Sequence, residues 1–233
     1  MDHESMDLAQ LAAYLHRDVR EVTKLANRGH LPGRKVSGQW RFAPAEINYW
    51  IETQLPGYSE KELHALEARG PSTPTSAMAV SGLLQESTMA VPLEARTRAS
   101  VLQELVKLAE QSWQVFDSEA LLEAIKQRED MASTAMDNGV AIPHPRRPVP
   151  GMIAESIIAY GRTFNGIPFG AGGVLCDLFF LVCCRDQATH LRVLARLSRM
   201  LRRPGLIDDL RAADTVTESY QVLEAAERDL IEE

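Results

Sequence analysis

Leu8, Leu11, Ala12 and Leu15 recur at the spacing of one helix face. From there the hydrophobic pattern reads helix, turn, helix, hairpin, helix. Asp18 precedes Val19, Val22, Leu25 and Ala26, with Glu21 three positions on, which predicts a second helix opened by a capping box and ended by Gly29. Two short β-type runs follow, Arg34-Lys35-Val36 and Gln39-Trp40-Arg41-Phe42, and Ser37-Gly38 between them suits a tight hairpin turn. Pro44 fits the first position of a third helix with Ile47, Trp50 and Ile51 inward. The segment from Ser59 to Ala68 is charged and helical in pattern, and Gly70-Pro71-Ser72-Thr73-Pro74-Thr75-Ser76 has the composition of a linker.

Beyond it helices and strands alternate. Arg98 to Gln111 is amphipathic, with Val101, Leu102, Leu105, Val106 and Leu108 apolar, and Ser118 to Arg128 is a second helix with Leu121, Leu122 and Ile125 inward. Gly139 to Ile142, Glu155 to Tyr160 and Asp177 to Cys184 are strands by composition; His190 to Leu201 and Val216 to Ile231 are helices. The alternation predicts an α/β sandwich, and the unbroken apolar run Leu178-Phe179-Phe180-Leu181-Val182 predicts a central strand covered on both faces. The expected organisation is a helix-turn-helix domain over 1–55, a helical and Pro/Ser/Thr-bearing linker over 56–80, and an α/β domain over 81–233.

Composition bounds the rest. The chain has 233 residues, 45% of them hydrophobic, which suffices for one or two real cores. There is no run of about 18 apolar residues to span a membrane, and the N-terminus lacks the basic and apolar regions of a secretory signal. The three cysteines, Cys176, Cys183 and Cys184, lie in or beside an apolar run and read as buried thiols, without a second Cys or His pair at ligand spacing. A reduced, cytoplasmic protein is expected, with no metal and no cofactor.

Charge changes the picture of the first domain. From Arg17 to Arg41 seven basic residues stand against two acidic ones, a local balance of +5 inside a chain of net charge −7. Such asymmetry is a phosphate-binding footprint. Leu11-Ala12-Ala13-Tyr14-Leu15, Gly29-His30-Leu31-Pro32-Gly33-Arg34-Lys35-Val36 and Gln39-Trp40-Arg41-Phe42 together resemble the excisionase-type, MerR-related winged helix-turn-helix family. The resemblance implies that Arg20, Thr23, Lys24, Asn27 and Arg28 read the major groove of duplex DNA from the second helix, while Lys35 and Arg41 of the hairpin hold the backbone. One such domain makes a modest footprint, so a homodimer is the expected binding form. The alternative is an interaction module with a solvated basic face.

The chemistry of the second domain centres on Asn138-Gly139-Val140-Ala141-Ile142-Pro143-His144-Pro145-Arg146-Arg147. A short strand stops at a proline, and two prolines clamp His144 on a stiff turn. An imidazole so held, beside guanidinium groups, suits reversible uptake of an anion or a phosphoryl group. Arg128-Glu129-Asp130-Met131-Ala132-Ser133-Thr134 stands upstream, and Thr189-His190-Leu191-Arg192-Val193-Leu194-Ala195 downstream. This ordered set resembles the IIA domain of bacterial phosphotransferase systems, in its fructose, mannitol and nitrogen-regulatory branch, from about Val80 onward. The resemblance implies a mixed sheet sandwiched by helices. It implies that His144 accepts a phosphoryl group from a phosphocarrier protein and passes it to a IIB component or a regulatory target. His190 would orient the group from a helix start, Arg128 would neutralise its charge, and Ser133, Thr134 and Arg146 would contact it or the donor. Two departures stand out: Ala135-Met136-Asp137 where many relatives have glycines, which places a negative charge near the site, and Pro145, which removes a backbone donor beside the imidazole.

Three readings compete: a phosphorylation-sensing DNA-binding regulator, a plain phosphocarrier, and an interaction protein that keeps only the fold. The basic reading helix favours the first.

Overall fold

The computed structural model describes residues 5–68 and 79–232. It divides into two compact units, Met1–Tyr58 and Ser59–Glu233. The linker sequence Gly70–Ser76 lies outside the described residues.

The first unit comprises α1 (Leu8–Leu15), α2 (Val19–Asn27), the antiparallel pair β1 (Arg34–Val36) and β2 (Gln39–Arg41), and α3 (Pro44–Gln54). Leu11, Val22, Ala26, Leu31, Phe42, Ile47 and Ile51 form its core. Ser37 and Gly38 both take positive φ, 51° and 79°, the requirement of a type I′ hairpin turn. Three local expectations change. The Asp18 side chain caps α2 through the Arg20 N–H rather than that of Glu21, and Glu21 instead pairs with Arg17 at 2.8 Å, so the capping box does not form. Val19 is exposed, because as the first residue of α2 it stands beyond the layer that Val22 and Ala26 bury. Trp50 is only half-buried, the inward face of α3 being Ile47 and Ile51.

The second unit opens with α4 (Glu60–Glu67), capped by a Ser59/Glu62 capping box. It continues through β3 (Met89–Ala90), α5 (Arg98–Glu110), α6 (Ser118–Met131), β4 (Val140–Ala141), β5 (Ile157–Pro168), β6 (Leu175–Cys183), α7 (Gln187–Met200), α8 (Leu206–Ala212) and α9 (Val216–Glu232). The sheet order is β3-β5-β6-β4; β5 and β6 are antiparallel, and the outer pairs β3/β5 and β6/β4 are parallel. The run at Leu178 is indeed central, paired on both edges and buried from Leu178 to Cys183. One cluster joins Val101 and Leu105 of α5, Leu121 and Ile125 of α6, and Ile157, Phe179 and Leu181 of the sheet.

Two elements lacked a readable pattern: β3 is two residues long, and α8 carries Asp208 and Asp209 in its first turn. The strand expected over 155–160 runs on to Pro168, past a register shift between Arg162 and Ile167. The helix expected from His190 begins three residues earlier, because Asp186 caps it through the Thr189 N–H.

Candidate functional site

β4 and β6 run parallel, so both deliver chain to the same edge of the sheet, where open α/β sheets place their ligands. β4 feeds Ile142, Pro143 and His144. The ladder continues past it: the Val182 N–H donates to Pro143 O at 3.0 Å, and the Val149 N–H donates to Cys184 O at 3.0 Å. The histidine turn is therefore pinned to β6 on both sides. β6 itself leads through Arg185 and Asp186 into α7, which brings His190 to the same edge. The two imidazoles face one another with ring centroids 5.1 Å apart and planes inclined by 60°.

The geometry selects a tautomer. Nδ1 of His144 lies 2.7 Å from the carbonyl oxygen of Ile142. A carbonyl only accepts, so the proton sits on Nδ1, and the lone pair of the neutral ring is left on Nε2.

The surrounding residues fall differently from expectation. His190 is the fourth residue of α7; its N–H donates to Asp186 O within the helix, and the Asp186 carboxylate already caps the first turn. The helix start therefore offers its ring, not its own backbone N–H, to an anion. Arg128 donates from Nη1 to Ala132 O at 2.8 Å. The Ser133 and Thr134 hydroxyls donate to the Glu129 carboxylate at 2.8 and 2.7 Å, and the Thr134 N–H adds a third bond at 2.8 Å. Glu129 is thus the organiser of this loop, a role its place in an Arg-Glu pair four residues before a Ser-Thr pair gave no way to assign. Arg146 is half-buried directly after the histidine turn. Asp137 lies in the turn closed by the Gly139 N–H to Met136 O, before β4, whereas His144 follows β4; the strand separates that charge from the imidazole.

In the first unit Arg20, Lys24 and Arg28 are exposed and share one stripe of α2 at four-residue spacing. Thr23 turns its hydroxyl back onto Val19 O at 2.7 Å. Asn27 accepts from the Trp40 indole N–H at 3.2 Å and so ties α2 to the hairpin. Lys35 lies over the Trp40 ring at 5.2 Å, and Arg41 donates to Gln39 at 3.2 Å. Arg20, Lys24 and Arg28 form a cationic stripe on the helix that also carries Thr23 and Asn27. Among the described residues no helix is long and apolar enough to cross a membrane.

A mixed sheet that carries two facing histidines where its parallel strands end, in a chain that opens with a helix-turn-helix, defines a IIA-type domain joined to a helix-turn-helix domain. The chain belongs to the family described as "Phosphoenolpyruvate-dependent sugar phosphotransferase system, EIIA 2", which matches residues 82–226; residues 5–55 match the helix-turn-helix domain family. A "Nitrogen regulatory protein" of Bradyrhizobium diazoefficiens is 32% identical over 150 residues, covering 63% of this chain and 95% of the relative. The "PTS system fructose-specific EIIABC component" of Bacillus subtilis is 30% identical over 141 residues, 59% of this chain but only 22% of that protein. The fold matches the crystal structure of nitrogen regulatory protein IIA-Ntr from Neisseria meningitidis, with a TM-score of 0.55, 23% identity and coverage of 61% of this chain and 97% of that one.

Proposed function

We propose that this chain is a nitrogen-regulatory-type IIA protein that takes up a phosphoryl group on Nε2 of His144, and that its N-terminal unit binds duplex DNA in a phosphorylation-dependent way. The observation that carries the reading is the bond from His144 Nδ1 to Ile142 O, which puts the ring proton on Nδ1 and the lone pair on Nε2. The donor is the phosphohistidine of a phosphocarrier protein. Its P–N bond breaks with the electron pair returning to the donor nitrogen, while the Nε2 lone pair of His144 forms the new P–N bond. Such transfer needs alignment and charge neutralisation rather than further covalent help. His190 steadies the group from the facing ring, and Arg128 and Arg146 supply positive charge; Ser133 and Thr134 act through the shape of the loop that Glu129 holds.

DNA binding rests on the stripe of Arg20, Lys24 and Arg28, with Lys35 and Arg41 of the hairpin at the backbone. Asn27 ties the reading helix to the wing through Trp40, and Thr23 lies on the same helix. A homodimer fits the small footprint of one unit. Three buried free thiols suit a reducing, cytoplasmic setting.

The similarity to a fructose-specific transport component favours a second reading, a phosphocarrier that serves a IIB protein. One solved relative of the same fold is the IIA mannitol enzyme of Escherichia coli in complex with its phosphorylated IIB, with a TM-score of 0.54 at 16% identity.

The test is intact-mass spectrometry after incubation with phosphoenolpyruvate and the general phosphotransferase proteins, followed by operator selection from random duplexes with the phosphorylated and unphosphorylated forms. One acid-labile phosphate, lost in His144→Ala, supports the acceptor; stoichiometric labelling of His144→Ala removes it. No enriched duplex from either form removes the DNA-binding reading and leaves the carrier.

A further inference from the structure

Arg192, Arg196 and Arg199 repeat at four and three residues and so form one stripe along α7. α4 lies on that stripe. The Glu67 carboxylate accepts from Arg196 Nε at 2.9 Å and from Arg199 Nη1 at 2.8 Å, the Glu67 carbonyl accepts from Arg192 Nε at 3.1 Å, and Glu60 accepts from Arg199 Nε. Leu63 and Leu66 of α4 are buried beside these bonds. From the far side Glu227 of α9 accepts from Arg196 Nη1 at 3.0 Å. Arg196, Arg199, Glu67 and Glu227 are each less than a tenth exposed. The charged helix read from the sequence over 59–68 therefore packs its carboxylates against α7.

Two facts give this contact a role. His190 and Arg192 are two residues apart on α7, about 200° around the helix, so the facing histidines and α4 hold opposite sides of one element. In addition, α4 lies outside the family's span of 82–226 and follows the N-terminal unit at once, its cap Ser59 coming directly after Tyr58. α4 therefore packs on the back of the histidine helix and lies in sequence between the spans matched by the two families.

We propose that α4 is a clasp, closed on α7 while His144 is unmodified and opened when His144 carries a phosphoryl group. The proposal rests on His144 being the acceptor. A phosphohistidine places close to two negative charges and a tetrahedral group against His190, and α7 must shift to admit it. On the other face a buried ion network does not stretch gradually, since moving one partner strands a charge. The new anion also competes with Glu60 and Glu67 for the field of the three arginines. Opening frees the 8 residues of α4 and lengthens the tether of the N-terminal unit, which changes the effective concentration of paired reading helices.

Hydrogen–deuterium exchange of the full chain tests the clasp, with phosphate stoichiometry read by intact mass in the same samples. Amides of residues 60–67 should exchange about tenfold faster or more when phosphorylated, within the range of ordinary coupling. In Glu67→Gln they should be fast without phosphate and respond less than about twofold to it, while phosphate uptake persists. If that variant does not fold, Glu60→Gln, whose carboxylate is largely exposed, should shift the same amides in the same direction. Full phosphorylation with unchanged exchange over 60–67 overturns the clasp alone. Absence of phosphate overturns the acceptor reading and the clasp with it.

Discussion

The carboxylate of Glu227, completely buried, stands 3.0 Å from Nη1 of Arg196. The same carboxylate accepts the Val80 and Ser81 N–H groups at 2.9 and 2.8 Å and the Ser81 hydroxyl at 2.7 Å. One side chain thus holds Val80 and Ser81 against the last helix. Replacing Glu227 by Ala leaves Arg196 with Glu67 as its carboxylate partner but orphans the Val80 and Ser81 N–H groups, and should cost about 1–3 kcal/mol. Urea denaturation of the full chain measures it. A loss below about 1 kcal/mol would show that water replaces the carboxylate without penalty.

The site of phosphate attachment follows from the ring's hydrogen bond. Nitrogen-detected NMR of the phosphorylated chain should place phosphorus on Nε2 of His144, with Nδ1 still protonated toward Ile142 O. His190→Ala should slow uptake about 10–100-fold, as loss of one stabilising contact does, without moving the phosphate to another residue. A phosphate found on Nδ1 contradicts the assignment.

Gly139 precedes β4 with φ at +88°, and a Cβ there would lie 2.4 Å from Arg211 Nη2 and 2.9 Å from Asp177 Oδ1. Arg211 cannot simply swing away, since it pairs with Asp177 at 2.7 Å and donates to Asn138 O at 2.9 Å. Gly139→Ala should destabilise by about 1–3 kcal/mol from backbone strain, with the displaced pair adding to it. Thermal melts of the two proteins give the difference; equal melting temperatures would mean that the turn re-forms with another geometry.

The cationic stripe predicts a graded salt effect. Each of Arg20→Gln, Lys24→Gln and Arg28→Gln should flatten the log–log salt dependence of duplex binding by about 0.9. Asn27→Ala should instead loosen the wing, because it removes the acceptor of Trp40, and lower affinity with the salt slope unchanged. Filter binding across a salt series separates the two; a slope change in Asn27→Ala would move that residue into the phosphate contacts.

Burial pushes the Cys183 thiol up to about 12 and the Cys176 thiol up to about 11. The folded chain therefore favours the neutral thiol, whereas the unfolded chain ionises near 9.0, the ordinary value. This contribution to stability is complete below the ordinary value and is lost as pH rises through the window up to about 12. Denaturant midpoints should fall across that window and change little from this source below it. Thiol reagents should leave the native protein unmodified near neutral pH and label all three cysteines after unfolding. Rapid native labelling would contradict the burial.

The sequence by itself determined the elements whose signals are local. Strict hydrophobic spacing placed α1, α2, α5 and α6, a two-residue turn placed the hairpin, and the apolar run at Leu178 declared itself a central strand because only burial on both faces tolerates such a run. His144 was legible for the same reason: the strand stop, both prolines and the histidine are contiguous. Its partnership with His190, 46 positions on, was legible only through likeness to a family.

Tertiary structure decided the rest. Which nitrogen of His144 carries the proton depends on a carbonyl two residues back, and only the folded turn aims it. That a buried carboxylate, Glu129, accepts from the Ser133 and Thr134 hydroxyls is visible only in the fold. The helix from Glu60 reads only as a charged helical segment, since nothing local separates a carboxylate facing water from one facing an arginine on a helix more than 120 residues away. Periodicity and caps record contacts a few residues apart; charge pairing across elements leaves no period in the sequence, and only packing assigns it.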